Sequence, residues 1–296
     1  DLALDGIRQM LWGFFKKVVV ADNCALFVNG VFENYQTLDG STLFLGAFFF
    51  TIQIYGDFSG YSDIAIGCAR LFGIDLMQNF KYPYFSRDIA EFWRRWHISL
   101  TTWFRDYIYI PLGGSRAGKW KSFRNTLVIF LVSGFWHGAN WTFVAWGAYH
   151  ALLFLPLLLL GQNRRYRDSV AENSFLPSVK ELTQMGATFL LVLLGWILFR
   201  SEDISQAAVY LERMFNVSLF SAPQLVGLGF GQLLLKKCFF FTALMFIVEW
   251  IGRKQAHGLM IEDLSLPVRY VIYTVLLIII YGFDASNPQG FIYFQF

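Results

Sequence analysis

Apolar runs recur near residues 8–20, 43–55, 122–137, 141–160, 186–199, 238–251 and 267–282, and each is a candidate membrane helix. Several of them fall short of the ~20 residues that a straight membrane span needs. Hydrophobic residues make up 56% of the 296 and charged residues 15%, with 33 Phe, 14 Tyr and 10 Trp. A soluble domain of this size would carry more charge, whereas a bilayer accepts apolar side chains facing outward and gathers Trp and Tyr at its interfaces. The pattern predicts an all-α, polytopic membrane protein. In hydrocarbon the backbone must satisfy its own hydrogen bonds, so short or polar-interrupted segments are tolerated only where protein or water lines them. Helices surrounding a central cavity or tunnel are therefore expected, together with short re-entrant or interfacial helices. No composition break separates domains, and residues 1–296 read as a single membrane-embedded unit.

Net charge is only +3, but the basic residues are clustered, so the average says little about partners. No nucleic-acid partner is expected. Cys24, Cys68 and Cys238 are far apart in apolar sequence and read as packing residues. No HExxH, Walker loop, Rossmann glycine pattern or zinc spacing is present, so no metal site is expected. The chain starts DLALDG, without an initiator Met or a signal-peptide pattern, and reads as the later part of something longer.

Orientation follows from the loops. Arg116, Lys119, Lys121 and Arg124 form one all-positive stretch and Arg164, Arg165 and Arg167 another, which the positive-inside rule places in the cytoplasm. The segment between them must then enter the bilayer and return, with its reversal at Gly138-Ala139-Asn140, where helix is weakest. His137 lies thirteen residues after Arg124, or about 20 Å along a helix, and so deep in the membrane. Residues 201–214 read as an interfacial amphipathic helix capped by Ser201 or Asp203. The loops at 161–185 and 252–266 are polar and suggest no role.

Three stretches carry groups suited to chemistry. In SGFWHGANWT (133–142) a histidine is set in apolar sequence, with Ser133 and Asn140 as cavity-lining neighbours. An ionisable residue at membrane depth points to function, and a neutral imidazole can accept a proton as a general base. The alternative is a structural histidine bonded to a carbonyl or to Ser133. Gly134 and Gly138 form a GxxxG that admits a close neighbouring helix. In EFWRRWHISLTTWFRDY (91–107) a continuous helix would place Arg94, His97, Thr101 and Arg105 on one face, with Trp93, Trp96, Leu100, Phe104 and Tyr107 opposite. That face either lines the cavity or sits in lipid headgroups. In YGDFSGYSDIAIG (55–67), Asp57 and Asp63 need cationic partners, and the arginines of 91–107 are the expected ones. Ser59 sits one place late for a nucleophile elbow and is read as a turn residue. His150 and His257 are given no role.

At YPYFSRDIAEFWRRWHISLTTWFRDYIYIPLGGSR (82–116) and SGFWHGANWTFVAWGAYH (133–150), the chain resembles the membrane-bound O-acyltransferase family. The likeness is to the branch of the bacterial alginate O-acetylation protein I, with the D-alanyl transfer protein of teichoic acid synthesis more distant. DFSGYSDIAIG and the ending FIYFQF fit the same branch. Members normally have further membrane helices before the point where this chain starts.

The resemblance implies that His137 matches the family's near-invariant histidine and His97 its second motif histidine. It also implies an acyl group moved from a cytoplasmic thioester donor, acetyl-CoA or an acyl carrier, to a hydroxyl on the far side or to a partner protein. The implied partner is an extracytoplasmic acetyltransferase that decorates a polysaccharide such as alginate, at the inner membrane of a bacterium. Arg94, Arg95, Arg105 and the basic loop 116–124 would then suit the phosphates of coenzyme A. Two other classes stay open. One is a transporter whose path runs through His137, Asp63 and the arginines, and the other is a non-catalytic scaffold.

Overall fold

A computed structural model describes residues 2–116, 118–225, 231–283 and 290–291. Among them every regular element is helical, as the apolar patterning predicts. In chain order they are α1 (Leu2–Phe14), a π-helical stretch (Phe15–Ala21), α2 (Asp22–Glu33), α3 (Gly40–Leu71), α4 (Ile89–Arg95), α5 (Ile98–Phe104), α6 (Lys119–His137), α7 (Trp141–Leu159), α8 (Val179–Arg200), α9 (Ile204–Met214), α10 (Gln232–Ile251) and α11 (Leu266–Gly282). Short 3-10 and π turns lie between some of them. By length and composition α7 and α8 can cross a membrane, and α11 is a shorter apolar helix. The chain forms two compact units, residues 1–78 with 210–296 and residues 79–209, with their boundary inside α9.

In the first unit the 32-residue α3 begins at Asp39, whose carboxylate accepts from the Thr42 amide at 2.8 Å. Helix α1 lies against it through glycines. A Cβ on Gly67 would stand 2.3 Å from the Gly6 carbonyl oxygen, so neither position accepts a larger side chain at this spacing. Asp57 and Asp63 interrupt the apolar surface of α3, and their partners are the lysines of the π-helical stretch. Lys17 Nζ lies 2.6 Å from Asp57 and 2.8 Å from Asp22, and Lys16 Nζ lies 2.6 Å from Asp63. Gln9 donates to Asp63 at 2.8 Å. The arginines of 91–107 are therefore not the counter-ions of these carboxylates. Buried charge is sustainable here because each ion has a close opposite partner. Lys16 also stands 3.9 Å from Glu249, which accepts from the Tyr55 hydroxyl at 2.8 Å. Phe291 stacks on Tyr61, with centroids 4.5 Å apart, while the rest of the FIYFQF ending lies outside the described residues.

In the second unit α6 and α7 form a hairpin that reverses at Gly138-Ala139-Asn140, where the sequence places it. Asn140 starts α7: its Oδ1 accepts from the Thr142 amide at 3.1 Å and its Nδ2 donates to the Glu202 carbonyl at 2.6 Å. The helices close tightly because Gly134 has no side chain; a Cβ there would stand 2.3 Å from the Phe143 carbonyl oxygen. Helix α8 opens with a capping box between Ser178 and Glu181. Asp203 rather than Ser201 caps α9, accepting from the Gln206 amide at 2.7 Å.

Residues 91–107 depart from the expected continuous helix. Helix α4 ends at Arg95, Trp96 is extended, and His97 takes the left-handed conformation at φ 44, ψ 55 before α5 begins. The break is held from outside the segment. The Asn79 carbonyl accepts from Ile98 N at 3.0 Å, and its side chain accepts from Ser99 N at 3.3 Å and from Ser99 Oγ at 2.5 Å. A non-glycine residue in this region costs on the order of 1–2 kcal/mol, which these bonds offset. Arg94, His97, Thr101 and Arg105 consequently do not form one helical stripe.

Candidate functional site

His137 ends α6 because the chain is extended at Gly138 and Asn140 opens the next helix. Its imidazole sits among aromatic rings from α6, α7 and α8. Ring centroids lie 5.0 Å away at Trp136, 5.3 Å at Trp146, 5.1 Å at Phe199 and 6.3 Å at Phe143. The residue as a whole is partly exposed.

The strained turn at residues 96–97 brings the second histidine to the same place. His97 lies edge-on to Trp136 with centroids 6.3 Å apart, and Trp136 in turn has its ring centroid 5.0 Å from that of His137. His97 is also partly exposed. Two imidazoles brought to one indole can divide the work of accepting a proton and donating a hydrogen bond.

The other candidates are distributed. Ser133 is buried one turn before His137, and Asn140 is committed to capping α7. Thr101 is exposed on α5, its hydroxyl 3.5 Å from the Trp96 carbonyl. Arg105 is exposed and bonded to its neighbour Asp106 at 2.7 Å. Asp63 belongs to the first unit, with Lys16 and Gln9. Arg94 and Arg95, in the last turn of α4, face the loop 161–178.

That loop and the acidic residue of α4 escape a reading for function by composition. Glu91 is buried and accepts from Arg95 at 2.7 Å and from Arg87 at 3.0 Å. Burial opposes the Arg87 charge, yet the bond and charge of Glu91, helped by Asp168 and Glu181, hold its pKa above the ordinary value. Arg87 also donates to the Asp168 carbonyl at 2.8 Å, as Arg95 does at 2.9 Å. Arg94 donates to the carbonyls of Asn163, at 2.5 Å, and Tyr166. Burial lowers the pKa of Arg94, and the nearby Asp88 and Glu91 charges only partly counter it. The signal for this network is the spacing Arg87, Glu91, Arg95, which puts one carboxylate a helical turn from each of two arginines.

A further histidine, His150 on α7, has no exposed surface and packs against Trp93 at 4.9 Å and Trp146 at 5.2 Å. Neither of its ring nitrogens has a hydrogen-bond partner among the described residues. Trp146 thus stands between His137 and His150. No group of three or more His, Cys, Asp or Glu side chains suited to a metal ion occurs among the described residues.

Residues 28–171, which carry both partly exposed histidines, match the membrane-bound O-acyltransferase family. The chain belongs to that family. It is 40% identical over 240 residues to the probable alginate O-acetylase AlgI of Pseudomonas aeruginosa, a stretch covering 79% of this chain and 44% of that protein. It is 38% identical over 206 residues to the peptidoglycan O-acetyltransferase of Helicobacter pylori, covering 70% of the chain and 38% of the relative. Against the teichoic acid D-alanyltransferase of Bacillus subtilis the identity is 29% over 214 residues, 68% of the chain and 52% of the relative. The chain thus spans less than half the length of the probable alginate O-acetylase it matches.

Proposed function

We propose that this chain is the histidine-bearing part of an O-acyltransferase that acetylates a bacterial exopolysaccharide such as alginate. In this reading the acetyl group comes from a thioester donor in the cytoplasm, acetyl-CoA, and passes through a multi-pass protein of the inner membrane. It reaches an extracytoplasmic hydroxyl or a partner acetyltransferase. The observation that supports it most is the pairing of His137 and His97 around Trp136 at the end of the α6–α7 hairpin. The names of the relatives, an alginate O-acetylase and a peptidoglycan O-acetyltransferase, point to the same class of reaction.

The chemistry balances with the residues present. As the acceptor hydroxyl attacks the thioester carbonyl, its proton passes to the neutral ring of His137. The new C–O bond forms, the C–S bond breaks, and the departing thiolate takes the proton back. His97 donates to the developing oxyanion or orients the carbonyl. The aromatic wall of Trp136, Trp146 and Phe199 keeps bulk water from competing for the thioester.

The test uses full-length protein in proteoliposomes, with the acetyl-labelled donor on one side and the acceptor on the other. Label covalently attached to the acceptor supports acyl transfer. Movement of an unmodified substrate with the label still on the donor contradicts it and favours a transporter.

A further inference from the structure

Helix α4 and the loop that follows α7 line an open pocket of about 410 Å³, a size typical of small-molecule sites. Its lining includes Lys81, Arg94, Arg95, Arg164 and Arg167 together with Tyr166, and no carboxylate. The cations are not equally neutralised. Arg95 shares Glu91 with Arg87. Arg94 is aimed by two backbone carbonyls, which fix its direction without cancelling its charge. Lys81, Arg164 and Arg167 have no carboxylate partner among the described residues. Like charges gathered in a concave wall raise the local concentration of anions.

The wall is also preorganised. The Arg87 and Arg165 guanidiniums lie over the Tyr166 ring at 4.3 and 5.3 Å. Gln184 Nε2 donates to the Tyr166 hydroxyl at 2.7 Å, leaving that hydroxyl its own hydrogen to offer an anion. Several guanidiniums with an added hydroxyl donor suit the many acceptor oxygens of a phosphate better than a single carboxylate.

We propose that this pocket binds a phosphate group, carried either by the thioester donor or by an anionic lipid headgroup. Arg95 precedes His97 by two residues, so their α-carbons are at most about 7 Å apart. Lys81 is tied to the same strand of chain, its amide donating to the Arg95 carbonyl at 3.0 Å. A phosphate held here is therefore anchored beside the segment that presents His97. The donor source rests on the acyl-transfer reading above; phosphate binding itself does not.

The experiment uses full-length protein in phosphatidylcholine nanodiscs. Calorimetric titration with coenzyme A and with pyrophosphate forms one arm, and retention of labelled phosphatidylglycerol forms the other. The double variant Arg164→Gln/Arg167→Gln changes only exposed side chains, and a thermal melt confirms its fold. Binding in the wild type that weakens about tenfold or more in the variant is expected. Coenzyme A or pyrophosphate binding assigns the phosphate to the donor, and phosphatidylglycerol binding alone assigns it to lipid. No binding of any of the three probes, or binding equal in wild type and variant, overturns the proposal. His137→Ala should bind the probes as the wild type does. Normal acetyl transfer in that variant would remove the transfer reading and leave the pocket standing.

Discussion

The imidazole of His97 meets the indole of Trp136 edge-on, with centroids 6.3 Å apart, and so joins the segment after α4 to the closed end of the α6–α7 hairpin. His97 reaches that position through its left-handed backbone at φ 44. Glycine accepts this conformation freely, so His97→Gly separates the side chain from the turn. The variant should keep or slightly raise thermal stability while acetyl transfer falls about 10²-fold, the usual loss when one oxyanion donor is removed. A transfer assay and a thermal melt on the same preparation check it. Unchanged transfer would mean that the backbone turn alone matters.

Glu91 is the shared carboxylate of two buried arginines, and removing it leaves Arg95 without a carboxylate and Arg87 with only the more exposed Asp168 and Glu181. Glu91→Ala should destabilise the protein by about 3–5 kcal/mol. Arg105→Ala, which opens the exposed pair with Asp106, should leave stability nearly unchanged, because solvent screens that pair. Unfolding followed by intrinsic tryptophan fluorescence in detergent compares the two.

Asp63 is tied to Lys16 inside the first unit, so its loss should register in stability before chemistry. Asp63→Asn or Lys16→Met alone should cost about 3–5 kcal/mol, and the double variant less than the sum, because removing a buried pair costs less than orphaning one ion. A double-mutant cycle of unfolding free energies measures the coupling. Additive losses would contradict the pairing.

The α6–α7 hairpin depends on the bare backbone at Gly134, since a Cβ there meets the Phe143 carbonyl at 2.3 Å. Gly134→Val should abolish accumulation of folded protein. Gly186→Ala, in open space on α8, should be tolerated. Detergent extraction followed by size-exclusion chromatography distinguishes the two outcomes.

These predictions differ in how far sequence leads to them. The hairpin and its reversal are legible because Gly138 and Asn140 break helix locally and basic residues flank both limbs. The break at Trp96-His97 is not, since no glycine or proline marks it and Asn79, eighteen residues earlier, supplies the competing hydrogen bonds. The counter-ions of Asp57 and Asp63 are likewise a matter of which helices pack together. Lys16 and Lys17 look like ordinary basic residues until the π-helical stretch lies beside α3. The loop 161–178 is featureless by composition because it contributes backbone carbonyls to Arg87, Arg94 and Arg95, and any residue supplies a carbonyl.

His137→Ala in the full-length protein tests the central claim most directly, through the rate at which labelled acetate appears on the acceptor in proteoliposomes containing equal amounts of each protein. A proton acceptor at this position predicts a fall of at least about 10²-fold with insertion and abundance unchanged. Transfer at the wild-type rate would contradict it.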